Sequence, residues 1–156
     1  MDPHRAYRRE DLLAEQKAGR QLVAMEHKGQ QAMATINGLE KQLAGAKEKL
    51  AASSSAAEIG TIQGQLHMLS NALMNTEPDH PQTILQQISF LNHLVVDLYD
   101  GAPTRAQIEA IDHNQQQLTK VISELDHLQK VDVVRLNSQL KTAGLPAIET
   151  AERGAD

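Results

Sequence analysis

The chain contains no cysteine and no tryptophan, and it has only one phenylalanine and two tyrosines among its 156 residues. Without cysteine there is no disulfide, no thiol nucleophile and no cysteine-based zinc site. With so few aromatic side chains, the core must be built from Leu, Ile, Val, Met and Ala. Such a core suits closely packed helices and is poorly suited to small-molecule pockets, which are usually rich in aromatic side chains.

A basic surface and long apolar runs are missing as well. Fifteen Lys and Arg against twenty Asp and Glu give a formal net charge of -5, which argues against nucleic-acid binding, because nucleic-acid-binding proteins present a basic face. No apolar run approaches the ~20 residues of a membrane-spanning helix. The first residues, Met1 to Arg5, contain no apolar segment, so no secretory signal is predicted in this chain. Its localisation stays open.

What the sequence does contain is a heptad pattern in its first third. Apolar residues and alanines recur at alternating steps of three and four, interrupted by Gly29; they are Leu22, Met25, Ala32, Ile36, Leu39, Leu43, Ala46 and Leu50. This repeat lines one stripe of an α-helix and does not suit a strand. Because a lone amphipathic helix is marginal in water, the stripe must pack on other helices. The sequence therefore predicts an all-α helical bundle.

The pattern divides into four predicted helices, A to D. Helix A runs from about Arg9 to Leu50, and helix B runs from a capping box at Ser55–Glu58 to near Asn75. Helix C is expected to begin at Pro81, because the missing N–H of proline costs nothing at the first helical position.

Helix D is the second long helix. It opens with another capping box, Thr104–Gln107, and its apolar stripe changes register near Val133. Gly144 follows its last turn and Leu145 is placed for a hydrophobic contact, which together predict a Schellman motif at the end of the helix.

The helix lengths leave two arrangements open. A and D are each about forty residues long, and B and C are about half that length. The favoured arrangement is an antiparallel bundle in which B and C form a shorter hairpin, because their connection of about six residues is normal for a hairpin. The alternative is a three-helix bundle with B and C collinear and kinked at the prolines. In both, residues 1–145 form a single domain and residues 146–156 are expected to be a disordered tail.

The seven histidines are the first candidates for chemistry. Two Asp-His pairs, at His113 and His127, lie two heptads apart, which is roughly 21 Å along a helix and too far to share a metal ion. His93 with Asp97, and Glu109 with His113, have the spacing of two ligands on one helix face. No H-E-x-x-H pattern accompanies them. We therefore predict no metal site, no cofactor and no catalytic residue, and interpret the histidines as exposed.

A second unusual feature is a stretch without basic residues. Between Ala51 and Thr104 there is no Lys or Arg, and five acids stand there without a nearby cation: Glu58, Glu77, Asp79, Asp97 and Asp100. The favoured interpretation is an ordinary solvated face. The alternative is a weakly acidic patch for a protein partner.

Short motifs also recur along the chain in a recognisable order. They are Asp11-Leu12-x-Ala14-Glu15-Gln16, Ile36-Asn37-x-Leu39-x-Lys41-Gln42-Leu43, Gly101-Ala102-Pro103-Thr104-x-x-Gln107, and Asp132-Val133-x-x-Leu136-Asn137-x-x-Leu140-x-x-Ala143-Gly144-Leu145-Pro146. Together they resemble the C-terminal helical tail that follows the β-propeller of bacterial sortilin-like proteins with BNR repeats, a family often classed with the glycosyl hydrolases.

This resemblance implies a structural or docking appendage. The Asp-box of the propeller, S-x-D-x-G-x-T-W, is absent from this chain. Any glycosidase or sortilin-like activity would belong to the propeller, so the resemblance carries over no catalytic residue. It also implies an exported parent protein, because the family is usually periplasmic or extracellular.

We thus expect a non-catalytic helical structural or protein-interaction module that docks on a β-propeller, a partner protein or a copy of itself. Two alternatives stay open. An accessory part of a glycosyl-hydrolase-like enzyme would need two carboxylates facing each other across a cleft at ~5–10 Å. A ligand- or metal-binding four-helix bundle would need inward-facing His or Glu side chains.

Overall fold

The computed structural model describes residues 8–50, 54–75, 77, 81–98 and 101–150. Most of these residues are helical, and none of them lies in a β-strand. The elements in chain order are α1 (Arg9–Lys49), α2 (Ser54–Leu73), α3 (Ile84–Asn92), the π-helical segment π1 (His93–Leu98), α4 (Arg105–His127), the π-helical segment π2 (Leu128–Asp132) and α5 (Val133–Thr142). The prediction of an all-α bundle with two long helices and a shorter pair is confirmed. Predicted helix D corresponds to α4, π2 and α5 together.

The contacts along α1 show how the shorter helices are arranged. From the C-terminal end of α1 toward its start, the facing pairs are Lys47–Gln63, Met33–Ser70, Gly29–Leu85 and Gly19–Val96. Helices α2 and α3 therefore follow one another along α1, antiparallel to it. This is the three-helix arrangement with a broken middle helix, and the contacts do not show the hairpin of B and C. Both arrangements bury the same apolar stripes, so periodicity alone could not separate them.

The third rod of the bundle is α4 with π2 and α5. Arg135 and Gln139 of α5 bind Glu58 near the start of α2, so this rod runs antiparallel to α2. It also packs on α1 and α3. The core between the rods is aliphatic, as predicted, and its most deeply buried side chains include Leu22, Ile36, Leu43, Ile59, Leu66, Leu73, Ile88, Leu118 and Leu125.

The change of register in predicted helix D has a structural cause. A π-helix follows an i to i+5 hydrogen-bond pattern and so accommodates an additional residue in a turn. Segment π2 begins at Leu128 and is followed by Val133, and both of these side chains are buried although they stand five residues apart. The extra residue lets the apolar stripe continue on the same side of the rod.

Two predicted helix ends are confirmed by their hydrogen bonds. The Thr104 N–H donates to Gln107 Oε1 at 2.8 Å, and the Gln107 N–H donates to Thr104 Oγ1 at 3.3 Å, which is the reciprocal capping box. At the end of α5, Gly144 has a φ of +70° and the Leu145 N–H donates to the Leu140 carbonyl at 2.9 Å. These are the features of a Schellman motif.

Two other helix starts differ from the prediction. Helix α2 begins at Ser54, and the Ser55 hydroxyl donates to Gln139 of α5 instead of capping its own helix. Helix α3 begins at Ile84, and its capping residue is Thr83, whose N–H donates to Gln86 Oε1 at 2.9 Å. Proline suits a first helical turn, but a threonine that exchanges hydrogen bonds with a glutamine three residues on satisfies more of the free backbone groups.

The segment after α5 packs on the bundle. Residues 145–150, named here the C-terminal strap, carry Ile148 with only 5 % of its surface exposed. Five residues of the predicted disordered tail, 146–150, therefore belong to the ordered chain, because an apolar anchor and side-chain amides hold them in place. Residues 151–156 lie outside the described residues.

Candidate protein-binding groove

The candidate metal pairs are exposed and incomplete. His93 Nδ1 lies 2.9 Å from Asp97 Oδ2 on the surface of π1. Glu109 is bound instead by Arg105, at 2.7 Å, and does not pair with His113. In the part of the chain that the structure describes, no three His, Asp or Glu side chains converge to hold a metal ion.

Glu58, one of the acids in the stretch without basic residues, has distant partners. Arg135 Nε and Gln139 Nε2 donate to its two oxygens, each at 2.5 Å, and Arg135 also binds Asp132 at 3.0 Å. The hydrogen bond and the negative charge of Glu58 raise the pKa of Arg135. This network ties α2 to α5. It is a structural clip between two rods of the bundle.

The groove between α2 and α4 contains acids but not in a glycosidase arrangement. It has a volume of about 440 Å³ and is lined in part by Glu124, His127 and Asp132. Glu124 and Asp132 stand eight residues apart on one continuous rod, which is an axial rise of roughly 12 Å between their backbones. Retaining and inverting glycosidases instead place two carboxylates about 5–9.5 Å apart on opposite sides of the scissile bond. Asp132 is moreover bound to Arg135.

A longer groove runs along the seam between α1 and α3 with π1, and is named here the α1–α3 groove. It consists of two successive depressions of about 700 and 500 Å³. Helix α1 contributes Leu12, Glu15, Gln16, Gly19, Arg20, Val23, Ala24, Glu26, His27 and Gln30, and the opposite wall contains Leu85, Gln86, Ser89, Phe90, Asn92, His93 and Val96. At Gly19 an added Cβ would lie 3.2 Å from Val96, so the two walls meet closely at the floor of the groove.

Four apolar side chains on the walls of this groove are half exposed. Leu12 and Val96 are each 50 % exposed, Val23 is 56 % exposed and Phe90 is 52 % exposed. Single exposed aliphatic residues are ordinary, but several that line one concave surface make it a candidate interaction site.

Several polar groups of the α1–α3 groove have no ion-pair or hydrogen-bond partner among the described residues. Glu15, Arg20 and Glu26 take part in none of the ion pairs formed among the described residues. Asn92 Oδ1 is buried and accepts no hydrogen bond within the described chain. A buried acceptor without a hydrogen-bond donor is costly. A bound partner could supply the missing donor, and rotation of the Asn92 amide is the other way to satisfy this oxygen.

The heptad pattern of helix A gives a partial indication of this groove. Leu12 and Val23 lie off the heptad stripe of helix A, so the sequence marked them as apolar residues without a place in the predicted core. It contained no signal that Val96 and Asn92 would lie opposite them, because that depends on how α3 is placed along α1.

Comparisons with known proteins give no further guidance. The chain matches no protein-family model, and no curated protein or solved structure is significantly similar to it. None of the helices in the described ranges has the length and apolar character needed to cross a bilayer.

Proposed function

We propose that this chain is a non-catalytic helical interaction module that binds an amphipathic helix of a partner protein in the α1–α3 groove. The observation that carries the proposal is the set of exposed aliphatic side chains, Leu12, Val23 and Val96, on facing walls between two helices. A three-helix bundle leaves such a seam open at the place where a four-helix bundle has its fourth helix. Helix-in-groove binding uses apolar anchors at spacings of three and four residues.

The dimensions and charges of the groove specify the partner. The groove extends along α1 from Leu12 to Gln30, which corresponds to roughly 27 Å or five helical turns. A helix of three heptads has this length. Arg20 joins no ion pair among the described residues and stands along α1 between Glu15 and Glu26, which also join none, so we expect an acidic residue opposite Arg20 and basic residues toward the ends of the partner's apolar stripe.

The sequence motifs support the same class of function. A tail that resembles the appendage of sortilin-like propeller proteins is expected to dock on a protein and not to catalyse a reaction. A propeller domain is therefore one proposed source of the partner helix or surface. The glycosidase alternative has less support, since the carboxylates of the α2–α4 groove lie on one rod.

A designed helix tests this proposal directly. The probe is a fluorescein-labelled peptide of about 21 residues with leucine at the a and d positions of three heptads, glutamate beside the central heptad and lysine beside the two outer heptads. Its fluorescence anisotropy is measured against increasing amounts of the full chain. We expect saturable binding that is weakened at least ten-fold by Val23→Asp and by Val96→Asp. A peptide with these glutamate and lysine positions exchanged should bind more weakly.

Val134→Asp is the matched control, because Val134 is 55 % exposed and lies on α5 away from the groove. Binding that is unchanged by Val23→Asp and Val96→Asp, or that falls equally with Val134→Asp, would refute the proposal. Light scattering of the chain alone tests whether a second copy of the chain occupies the groove. A stable dimer that Val23→Asp dissociates would show that it does, contrary to the proposal.

A further inference from the structure

The C-terminal strap is held by two side-chain amides, and each amide binds both backbone groups of one strap residue. Asn137 Oδ1 accepts from the Ile148 N–H at 2.7 Å, and Asn137 Nδ2 donates to the Ile148 carbonyl at 2.9 Å. Gln42 Oε1 accepts from the Glu149 N–H at 2.7 Å, and Gln42 Nε2 donates to the Glu149 carbonyl at 3.1 Å. Gln42 belongs to α1 and Asn137 to α5, so the strap is held from two different helices.

The same pair of backbone hydrogen bonds joins neighbouring strands in a β-sheet. In an antiparallel pair, a residue exchanges both backbone hydrogen bonds with the residue opposite it. Here the side-chain amides of Gln42 and Asn137 take the part of that neighbour, and they are 95 residues apart in sequence. All four hydrogen bonds go to backbone atoms, so they hold an extended chain without selecting its side chains.

Selectivity comes from one anchor and from the charge beside it. Ile148 is buried in the core and Leu145 packs against the core from the edge. A cavity of about 290 Å³ separates the strap from α1 and is bordered by Lys41 and Lys49, neither of which joins an ion pair among the described residues. This basic border favours an acidic residue after the anchor, the position that Glu149 has in the strap.

The groove under the strap continues beyond it. A second cavity of about 340 Å³ follows α1 past Glu149 and Thr150, along Thr35 and Gly38. Within the described ranges no atom lies within 4 Å of where a Cβ on Gly38 would be. Residues 145–150 thus fill only part of the surface that these two cavities outline.

We propose that Gln42 and Asn137 form a binding site for an extended peptide with a branched aliphatic anchor followed by an acidic residue, and that the strap is its occupant in cis. The strap is joined to α5 through Gly144, and one buried side chain, that of Ile148, anchors it. Because ordering its backbone opposes these few contacts, the strap can open locally without unfolding the bundle. A partner segment then competes with it. This site lies apart from the α1–α3 groove and does not depend on the function proposed for that groove.

The experiment uses the full chain with its own anchor removed. In Ile148→Asp the strap loses its anchor, and the probe is a fluorescein-labelled peptide with the sequence of residues 144–150. We expect this variant to bind the peptide at least ten-fold more tightly than the unaltered chain, in which the strap competes. Adding Gln42→Ala or Asn137→Ala to Ile148→Asp should each reduce binding at least ten-fold. The peptide with Asp in place of Ile should not bind.

Gln30→Ala is the control on the same helix, because Gln30 is exposed, lies twelve residues before Gln42 and faces the α1–α3 groove. Ile148→Ala is measured in parallel as a milder way to release the strap, and circular dichroism confirms that each variant is folded. Failure of both Ile148 variants to bind the peptide would overturn the proposal. So would binding that the Gln42 and Asn137 substitutions leave unchanged.

Discussion

The effect of a substitution in this bundle depends on the space around the residue, and the helical glycines show this most clearly. Gly29 faces the buried side chain of Leu85, and a Cβ on residue 29 would overlap that side chain. Gly64 lies on the outside of α2 and has nothing within 4 Å of where its Cβ would be. The same substitution therefore has opposite consequences at the two positions.

We expect Gly64→Ala to raise the free energy of unfolding by about 0.5–1 kcal/mol, because alanine loses less backbone entropy than glycine in a helix. Gly29→Ala gains the same amount but forces Leu85 to move in a packed core, which costs about 1–3 kcal/mol, so its net effect should be a loss of stability. Urea denaturation of the two variants measures both values. Equal stabilisation by the two alanines would contradict the packing described between α1 and α3.

The contribution of a charged residue to stability likewise depends on its burial and its partners. The side chain of Glu58 is only 17 % exposed and binds two partners on α5, whereas that of Glu109 is 64 % exposed and binds its neighbour Arg105. The raised pKa of Arg135 keeps its contribution complete at neutral pH, since a cation with a raised pKa loses its stabilising effect only as the pH rises through that value.

Glu58→Ala should lower the free energy of unfolding by about 1–2 kcal/mol, because it removes hydrogen bonds between α2 and α5. Glu109→Ala should change it by no more than about 0.5 kcal/mol, the usual worth of an exposed pair one helical turn apart. Thermal unfolding near neutral pH compares them. If the two losses were the same size, the network around Glu58 would not be a structural clip.

At the scale of elements, the π-helical segments determine how the rods match the core. The five residues of π2 hold one residue more than an α-helical turn needs, and this offsets the change of register between Leu128 and Val133. A deletion within π2 should thus restore a regular helix, while a deletion within α4 should rotate everything after it.

Deleting Lys130 from π2 is expected to keep the fold, with a melting temperature lower by only a few degrees, because the apolar stripe then continues at an α-helical spacing. Deleting Lys120 from α4 should turn the following residues by about 100° and expose their apolar faces, at a cost of several kcal/mol or complete unfolding. Both lysines are exposed, so neither deletion removes a core side chain. Circular dichroism during heating distinguishes the two variants, and a deletion of Lys130 that unfolds the chain would contradict this role of π2.

The elements also show what a sequence can and cannot predict here. Heptad stripes and the Thr104 capping box predict where the helices lie, because each of these signals is formed by residues only a few positions apart in the sequence. The Schellman motif at Gly144 is local in the same way. The clip at Glu58 and the hydrogen bonds from Gln42 to the C-terminal strap were not predictable, since each joins residues that are close only after the rods have packed. No local pattern identifies Gln42 as a binding residue among the many exposed glutamines.

At the scale of the whole molecule, the order of the rods creates both candidate sites. Because α2 and α3 lie end to end along α1, the start of α1 faces α3 and forms the α1–α3 groove, while its end faces α2 and approaches the strap. A hairpin of α2 and α3 would have placed a fourth helix on part of α1 and changed both surfaces. The central claim is therefore the collinear arrangement of α2 and α3.

The distance between α2 and α3 tests that claim most directly. The chain has no cysteine, so Thr61→Cys with Asp97→Cys provides two unique positions for spin labels, both exposed. Double electron–electron resonance should give a distance of about 40 Å, because the facing positions on α1 are nearly thirty residues apart. A distance below about 20 Å would place the two helices side by side and would contradict the three-helix arrangement on which both sites depend.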